Sequence, residues 1–344
     1  LSEIEYFLKK SKMENYFDVI IIGSGAAGMM CAIEAGKRGR KVLLVDHAKK
    51  ICEKIRISGG GRCNFTNINS DSSKFISLNP NFCISALKQY TPNDFIELVK
   101  KHNIEFHEKK LGQLFCDKSA QQIIDMLITE CNAANIILKT ETFVKSIKKN
   151  NDLFIISVLD CTYSCESLVI ATGGLSIPKI GATDFGYKIA KQFKLNIISP
   201  SPALVPLTFE NDLLKKFKEL AGISLEAAVS FKKNIFEEGM LFTHRGLSGP
   251  SILQISSYWK LKENIKINLV PKSIVLDLLE IKKSSHPKQD IISIISEIIP
   301  KRLAIFICDE LKISGKIADI PKKIIQKISL SINNWEIFPT GTEG

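Results

Sequence analysis

The string Gly23-Ser24-Gly25-Ala26-Ala27-Gly28 sits between an apolar, β-branched run, Phe17 to Ile22, and an alanine-rich stretch, Ala26 to Gly36, with a second apolar run at Lys41 to Val45. Strand, glycines, helix and strand in that order make a βαβ unit, and GxGxxG spacing inside it restricts the chain to few folds. Gly23 permits the tight turn, Gly25 lets the backbone approach a pyrophosphate, and Gly28 lets helix and strand pack closely. The start of the helix, from Ala26 and Ala27 onward, offers free N–H groups and the positive end of the helix dipole to phosphate. Asp46 ends the second run near the ~20-residue spacing at which a carboxylate accepts hydrogen bonds from ribose hydroxyls. An acid there favours an unphosphorylated ribose, as in FAD or NAD, over NADP.

The 344 residues, 45% of them hydrophobic, can bury a core larger than one ordinary domain. No run approaches the ~18 to 20 uncharged apolar residues of a membrane span, and no secretory leader opens the sequence. A cytoplasmic location without a membrane partner is expected. Nine cysteines without CxxC pairs read as reduced structural thiols, the CxxxC pair Cys161 and Cys165 included. The net charge of +11, from 47 basic and 36 acidic residues, is spread over lysine pairs without a nucleic-acid motif. The expected partner is therefore a small-molecule substrate rather than nucleic acid, with the oligomeric state unassigned. His102, His107 and His286 lack metal-ligand spacing, so no metal site is expected, and no GxSxG elbow supports hydrolysis.

Apolar residues recur at helical spacing in Thr91 to His102 and Ser119 to Asn132, after which Ile136 to Ile170 turns β-rich, with Asn150-Asn151-Asp152 as a turn. "SPSPALVP", Ser199 to Pro206, is a boundary that no helix crosses. Strand-like segments follow at 225–231, 239–244 and 264–271, then helices at 291–311 and 321–330. The expected organisation is an extension without fixed structure at 1–15, a dinucleotide-binding Rossmann domain at 16–198, an inserted β-rich domain at 199–272 and a helical subdomain at 273–330. Residues 331–344 are expected to form a strand returning to the first domain.

Three further strings carry candidate site residues. In "ISGGGRCNFTN", ordering Ser58-Gly59-Gly60-Gly61 costs backbone entropy, which suggests main chain forced close to something flat or charged. Arg62 can pair with phosphate, and Asn64, Thr66 and Asn67 offer hydrogen bonds. Ala171-Thr172-Gly173-Gly174 ends a buried strand with small residues that let a second loop lie against a nucleotide. In "THRGLSGP", His244 and Arg245 are the candidate catalytic groups, and a structural turn leading into a capped helix explains the same residues.

"GSGAAG", "ISGGGRCNFTN", "ATGGLSIPKIGATDFGY", "LFTHRGLSGPSIL" and "PTGTEG" occur in the order of a bacterial family of FAD-dependent oxidoreductases, aminoacetone-oxidase-like or NAD(P)/FAD-dependent, which the chain resembles from Phe17 onward. The resemblance implies an α/β fold: a Rossmann-type FAD-binding domain of the glutathione-reductase type with an inserted β-barrel-like plus helical unit. It implies a flavoprotein that transfers hydride or electrons between a small organic substrate and FAD, with NAD(P)H as a candidate electron donor. The first glycine cluster would hold the pyrophosphate, and the second would lead to the flavin. Family members continue past "TGTEG" into a closing segment, so a truncated, inactive nucleotide-binding fragment is the alternative expectation.

Overall fold

The computed structural model describes residues 15–343, and the expected extension falls almost wholly outside them. The chain divides into two compact units after Ile198.

The first unit carries strands β1 (Tyr16–Ile22), β2 (Val42–Val45), β3 (Asn64–Asn67), β4 (Phe106–Glu108), β5 (Gln113–Cys116), β6 (Ile137–Lys139), β7 (Ser146–Asn150), β8 (Leu153–Ser157) and β9 (Thr162–Ile170). Its helices are α1 (Ala26–Lys37), α2 (Glu53–Ile57), α3 (Ile84–Gln89), α4 (Pro92–Lys101), α5 (Gln121–Ala133) and α6 (Phe185–Gln192). The main sheet has the order β6-β2-β1-β9-β8-β7, parallel from β6 to β9 and antiparallel thereafter. A smaller sheet, β3-β5-β4, is antiparallel.

β1 has no polar face because both of its faces are covered, as a central parallel strand requires. Ile21 packs with Met29, Ile33, Ile123 and Leu127 under α1 and α5, whereas Ile20 and Ile22 pack on the opposite side with Ile147 and Ile156. α4 begins with a capping box in which Thr91 and Asp94 satisfy each other's backbone N–H, and Pro92 occupies the first turn. Cys161 and Cys165 are four residues apart along extended chain, about 13 Å, too far for a disulfide.

The second unit holds β10 (Leu207–Thr208), β11 (Ser224–Phe231), β12 (Asn234–Thr243), β13 (Gly246–Ser248), β14 (Ile265–Asn268), β15 (Trp335–Ile337) and β16 (Gly341–Thr342). Six helices accompany them: α7 (Asn211–Leu220), α8 (Pro250–Ser256), α9 (Val275–Ser285), α10 (Ile291–Ser296), α11 (Lys301–Leu311) and α12 (Lys322–Asn333). The strands form one antiparallel sheet in the order β15-β14-β11-β12-β13-β10-β16. Phe217, Phe242 and Trp335 meet in the core beneath it, with Phe217 edge-on to both partners.

Two boundaries differ from those expected. The β-rich and helical stretches are not separate domains, because strand residues such as Val229 and Ile267 share one buried core with Leu279, Ile294, Leu303 and Ile328. Residues 331–344 do not return to the Rossmann sheet: β15 pairs with β14 and β16 with β10, at the two ends of the second sheet. The physical reason is hydrogen bonding, since both ends of that sheet offer backbone groups that these short strands satisfy. Among the described residues no helix is long and apolar enough to cross a membrane.

Candidate functional site

A cavity of about 540 Å³ opens in the first unit where the carboxyl ends of β1, β2 and β9 meet, which is where open α/β sheets place their ligands. Backbone hydrogen bonds fix that junction. Gly23 N donates to Val45 O at 2.8 Å, Ala171 N to Ile22 O at 2.8 Å, and Thr142 N to Asp46 O at 2.8 Å. The third of these brings Thr142, Phe143 and Val144 to the cavity wall beside Asp46.

The three motif glycines do different work. A Cβ on Gly28 would fall 1.8 Å from Gly23 O, and one on Gly23, whose φ is +108°, would fall 2.5 Å from Ala171 O. Both positions are closed to any side chain by packing. Gly25 lines the cavity, and a Cβ there would meet nothing within 4 Å, so its bare backbone faces open space. Gly25 also caps α1 without a side-chain hydrogen bond, and no acidic residue occupies the first turn. The first N–H groups of a twelve-residue helix, flanked by Ala26 and Ala27, are thus left for an anion.

Asp46 is held from three directions. Its Oδ2 accepts from Ser24 N at 2.6 Å and Ser24 Oγ at 2.7 Å, and its Oδ1 accepts from Ala48 N at 2.8 Å. A carboxylate has about four lone-pair sites, so capacity remains for ribose hydroxyls. Ser24 is fully buried and reaches Asp46 rather than the cavity. Next to Asp46, the His47 and Phe143 rings stand 6.0 Å apart at 52° and line the cavity together. Lys50, Lys54 and Lys188 contribute positive charge, with Lys54 Nζ donating to Ser176 Oγ at 2.9 Å and Lys188 paired with Asp184 at 2.9 Å. Cys52 is buried in the wall, its thiol pushed up to about 12 by burial, with Sγ donating to Ser24 O. It is a protonated packing group at neutral pH. Orphan amides, a fixed carboxylate and an aromatic wall along one cavity fit an adenine dinucleotide such as FAD.

Of the residues expected to bind cofactor, Gly23, Gly25, Ala26, Ala27, Asp46, Ala171, Thr172 and Gly173 line the cavity, whereas Ser24, Gly28 and Gly174 do not. Ser58 to Arg62 also lie outside its wall, forming an exposed turn beyond α2 in which Gly59, Gly60 and Gly61 all have positive φ. Asn64, Thr66 and Asn67 are in β3; Asn67 Nδ2 donates to Leu111 O and its Oδ1 accepts from Asn69 N. The chain from Ile180 to Phe185 and the segment Thr142 to Val144 line the cavity without having been expected there. The string following "ATGG" was the available signal for the first of these; the second carries none.

His244 and Arg245 belong to the second unit, in the tight connection between β12 and β13. Thr243 Oγ1 accepts from Arg245 N and Gly246 N, and Arg245 Nε pairs with Glu343 at 2.8 Å. A Cβ on Gly246 would lie 2.1 Å from Leu207 O, and one on Gly249 2.6 Å from Gly239 O. The glycines of "THRGLSGP" are therefore set by the close approach of neighbouring strands and the start of α8. Among the described residues no group of three or more His, Cys, Asp or Glu could hold a metal.

A family model described as "HI0933-like protein Rossmann domain" matches residues 17–325. The chain is 46% identical over 334 residues to the ribosomal RNA dihydrouridine synthase of Escherichia coli, covering 95% of this chain and 82% of that protein. It is 43% identical over 339 residues to the protein of the same name from Haemophilus influenzae, covering 96% and 84%. A 3-dehydro-bile acid delta(4,6)-reductase from Clostridium scindens is 26% identical over 246 residues, covering 69% and 59%. Two of these relatives are named as dihydrouridine synthases and one as a reductase, and none of the three as an aminoacetone oxidase. With a Rossmann cradle matched to its model over most of its length, the chain belongs to the HI0933-like family.

Proposed function

We propose that this protein is an FAD-dependent reductase that saturates a carbon–carbon double bond conjugated to a carbonyl, with a uridine of ribosomal RNA as substrate. The observation that carries the proposal is the identity of 46% and 43%, over nearly the whole chain, to two proteins both named ribosomal RNA dihydrouridine synthase. Forming dihydrouridine adds two hydrogens across the C5–C6 bond of uracil, a bond conjugated to the C4 carbonyl. The name of the more distant bile-acid reductase describes the same class of reaction on a small molecule. A net charge of +11 suits a polyphosphate partner, which replaces the small organic substrate expected from motif reading alone.

The chain's own residues would act as follows. The amides at the start of α1 hold the pyrophosphate, Asp46 accepts from the adenosine ribose with its orientation fixed by Ser24 and Ala48, and His47 and Phe143 flank the adenine. Lys50, Lys54 and Lys188 balance the phosphate charge at the wall. Bound FAD supplies the hydride chemistry, and a reduced nicotinamide dinucleotide is the class of donor that re-reduces it.

The test uses purified full chain loaded with FAD. Anaerobic reduction with NADH or NADPH, followed by an unmodified ribosomal RNA transcript, should yield one nucleotide heavier by two hydrogens in mass spectrometry. RNA retention should fall steeply with salt. A flavin-loaded, reducible protein that leaves the transcript unchanged would remove the substrate assignment, and one that takes up no FAD would remove the flavoenzyme reading.

A further inference from the structure

Outside the cavity, the small sheet of the first unit carries a second constellation. His107 Nδ1 on β4 lies 2.6 Å from Asp117 Oδ1, just past β5. A carboxylate only accepts, so Nδ1 carries the proton and the pair fixes the ring, leaving Nε2 without a partner among the described residues. The ring is stacked on Phe115, with centroids 6.3 Å apart at 20°, and remains 45% exposed at its side chain. Lys109 Nζ sits 5.3 Å from the Phe115 centroid. The other charged neighbours are engaged: Glu108 accepts from Gly112 N at 2.8 Å, and Glu105 is 3.6 Å from Lys118. Asp117 is thus the acid that holds the imidazole.

The same Phe115 supports the triple-glycine turn. A Cβ on Gly59 would lie 2.7 Å from Phe115 Cε1, so turn and ring are in close contact, and Arg62 O accepts from Cys116 N at 3.0 Å. Gly60 and Gly61 have open space where a side chain would stand. The turn is continuous with the cavity wall: Cys52 to Ile55 line the cavity, and Ser58 Oγ donates back to Ile55 O at 2.9 Å. A dinucleotide held by Asp46 and the α1 amides would reach the turn only by extending its second half past Cys52 to Ile55, the part of the wall that leads to Ser58.

We propose that His107, oriented by Asp117, is the proton donor to the substrate, an inference that rests on the conjugated-alkene reading above. Bound FAD in its reduced form would supply hydride to the carbon β to the carbonyl, C6 of uracil, and the C5–C6 π electrons would move onto C5 and O4 as an enolate. C5 then takes the Nε2 proton of protonated His107, leaving neutral imidazole that regains a proton from water. Two electrons and one proton come with the hydride, one proton comes from His107, and oxidised flavin is returned to its reduced state by the nicotinamide donor.

The test has two independent arms. In protein with isotope-labelled histidine rings, assigned by single His→Gln variants, FAD titration should shift the His107 signals as it shifts those of cavity-lining His47, while His102, held on Glu130, stays in place. In turnover, His107→Gln should keep its FAD content and its reduction by nicotinamide but slow substrate reduction by about a hundredfold or more. Added imidazole should restore part of the rate to His107→Ala, and Asp117→Asn should fall between. A His107 signal indifferent to FAD, or full turnover by His107→Gln, overturns the proposal. If wild-type protein leaves uridine unchanged while His107 responds to FAD, the substrate reading fails and the placement of His107 stands.

Discussion

Ser24 donates a hydrogen bond from its hydroxyl to Asp46, with Oγ 2.7 Å from Oδ2, and its backbone N–H reaches the same oxygen at 2.6 Å. The second residue of the glycine motif thus serves the acid at the end of the next strand. Hydrogen bonds to a charged group contribute about 1.5 to 3 kcal/mol, so Ser24→Ala should weaken FAD binding by roughly tenfold with the fold intact. Asp46→Ala, which removes the ribose acceptor itself, should cost more. Flavin fluorescence titration measures both, and equal affinity in all three proteins would remove Asp46 from the site.

Substitution at the second and third glycines of GxGxxG should separate folding from binding. Gly25→Ala introduces a methyl group with nothing within 4 Å, so its melting temperature should match wild type while FAD affinity falls at least about tenfold. Gly28→Ala drives a methyl group to 1.8 Å from Gly23 O and must push α1 off β1. Overpacking of this kind costs on the order of 1 to 3 kcal/mol or more, which thermal unfolding without FAD should register.

Phe143 stands 54% exposed, an aromatic ring at the cavity wall with the His47 ring 6.0 Å away. Stacking on a base contributes about 1 to 3 kcal/mol. Phe143→Ala should therefore weaken FAD binding about tenfold without loss of stability, and Phe143→Trp should retain it. Calorimetric titration with FAD, and with FMN as a control lacking adenine, distinguishes the two ends of the ligand; loss of FMN binding in Phe143→Ala would place the ring elsewhere.

Glu130 is a buried acid on α5 shared by three side chains: His102 Nε2 at 2.8 Å, Lys101 Nζ at 2.9 Å and Lys37 Nζ at 3.2 Å. Hydrogen bonds from His102 and Lys101 lead in holding its carboxyl down, from 4.5 to about 2. A depressed carboxyl stabilises the folded state above its unfolded value, so this contribution is complete above pH 4.5 and fades as pH falls from there through about 2. It amounts to roughly 3 kcal/mol at most. Glu130→Gln should lower stability at pH 7 and flatten the acid limb between pH 4.5 and 2 in denaturant titrations; an unchanged acid limb would show that the network contributes little.

The βαβ unit, its glycines and Asp46 were legible in the chain because each is set by neighbours a few positions away: apolar period, turn chemistry and strand length. Helices at Pro92–Lys101 and Gln121–Ala133 were legible for the same reason, since a capping residue and a repeat of three to four are local signals. Tertiary structure decided which of those residues face a ligand. Ser24 belongs to the motif expected to bind cofactor, yet it is buried against Asp46, and Phe143 reaches the cavity only because Thr142 pairs with Asp46 almost a hundred residues earlier in the chain. The partners of Glu130 come from α1, α4 and the residue after α4, with no spacing in common. The short strands at 335–337 and 341–342 had no pattern of their own to name the sheet they join. Local sequence determines which backbone shapes are affordable, whereas a binding wall is made where distant segments meet. That meeting is fixed by strand order and packing, which no short window of sequence contains.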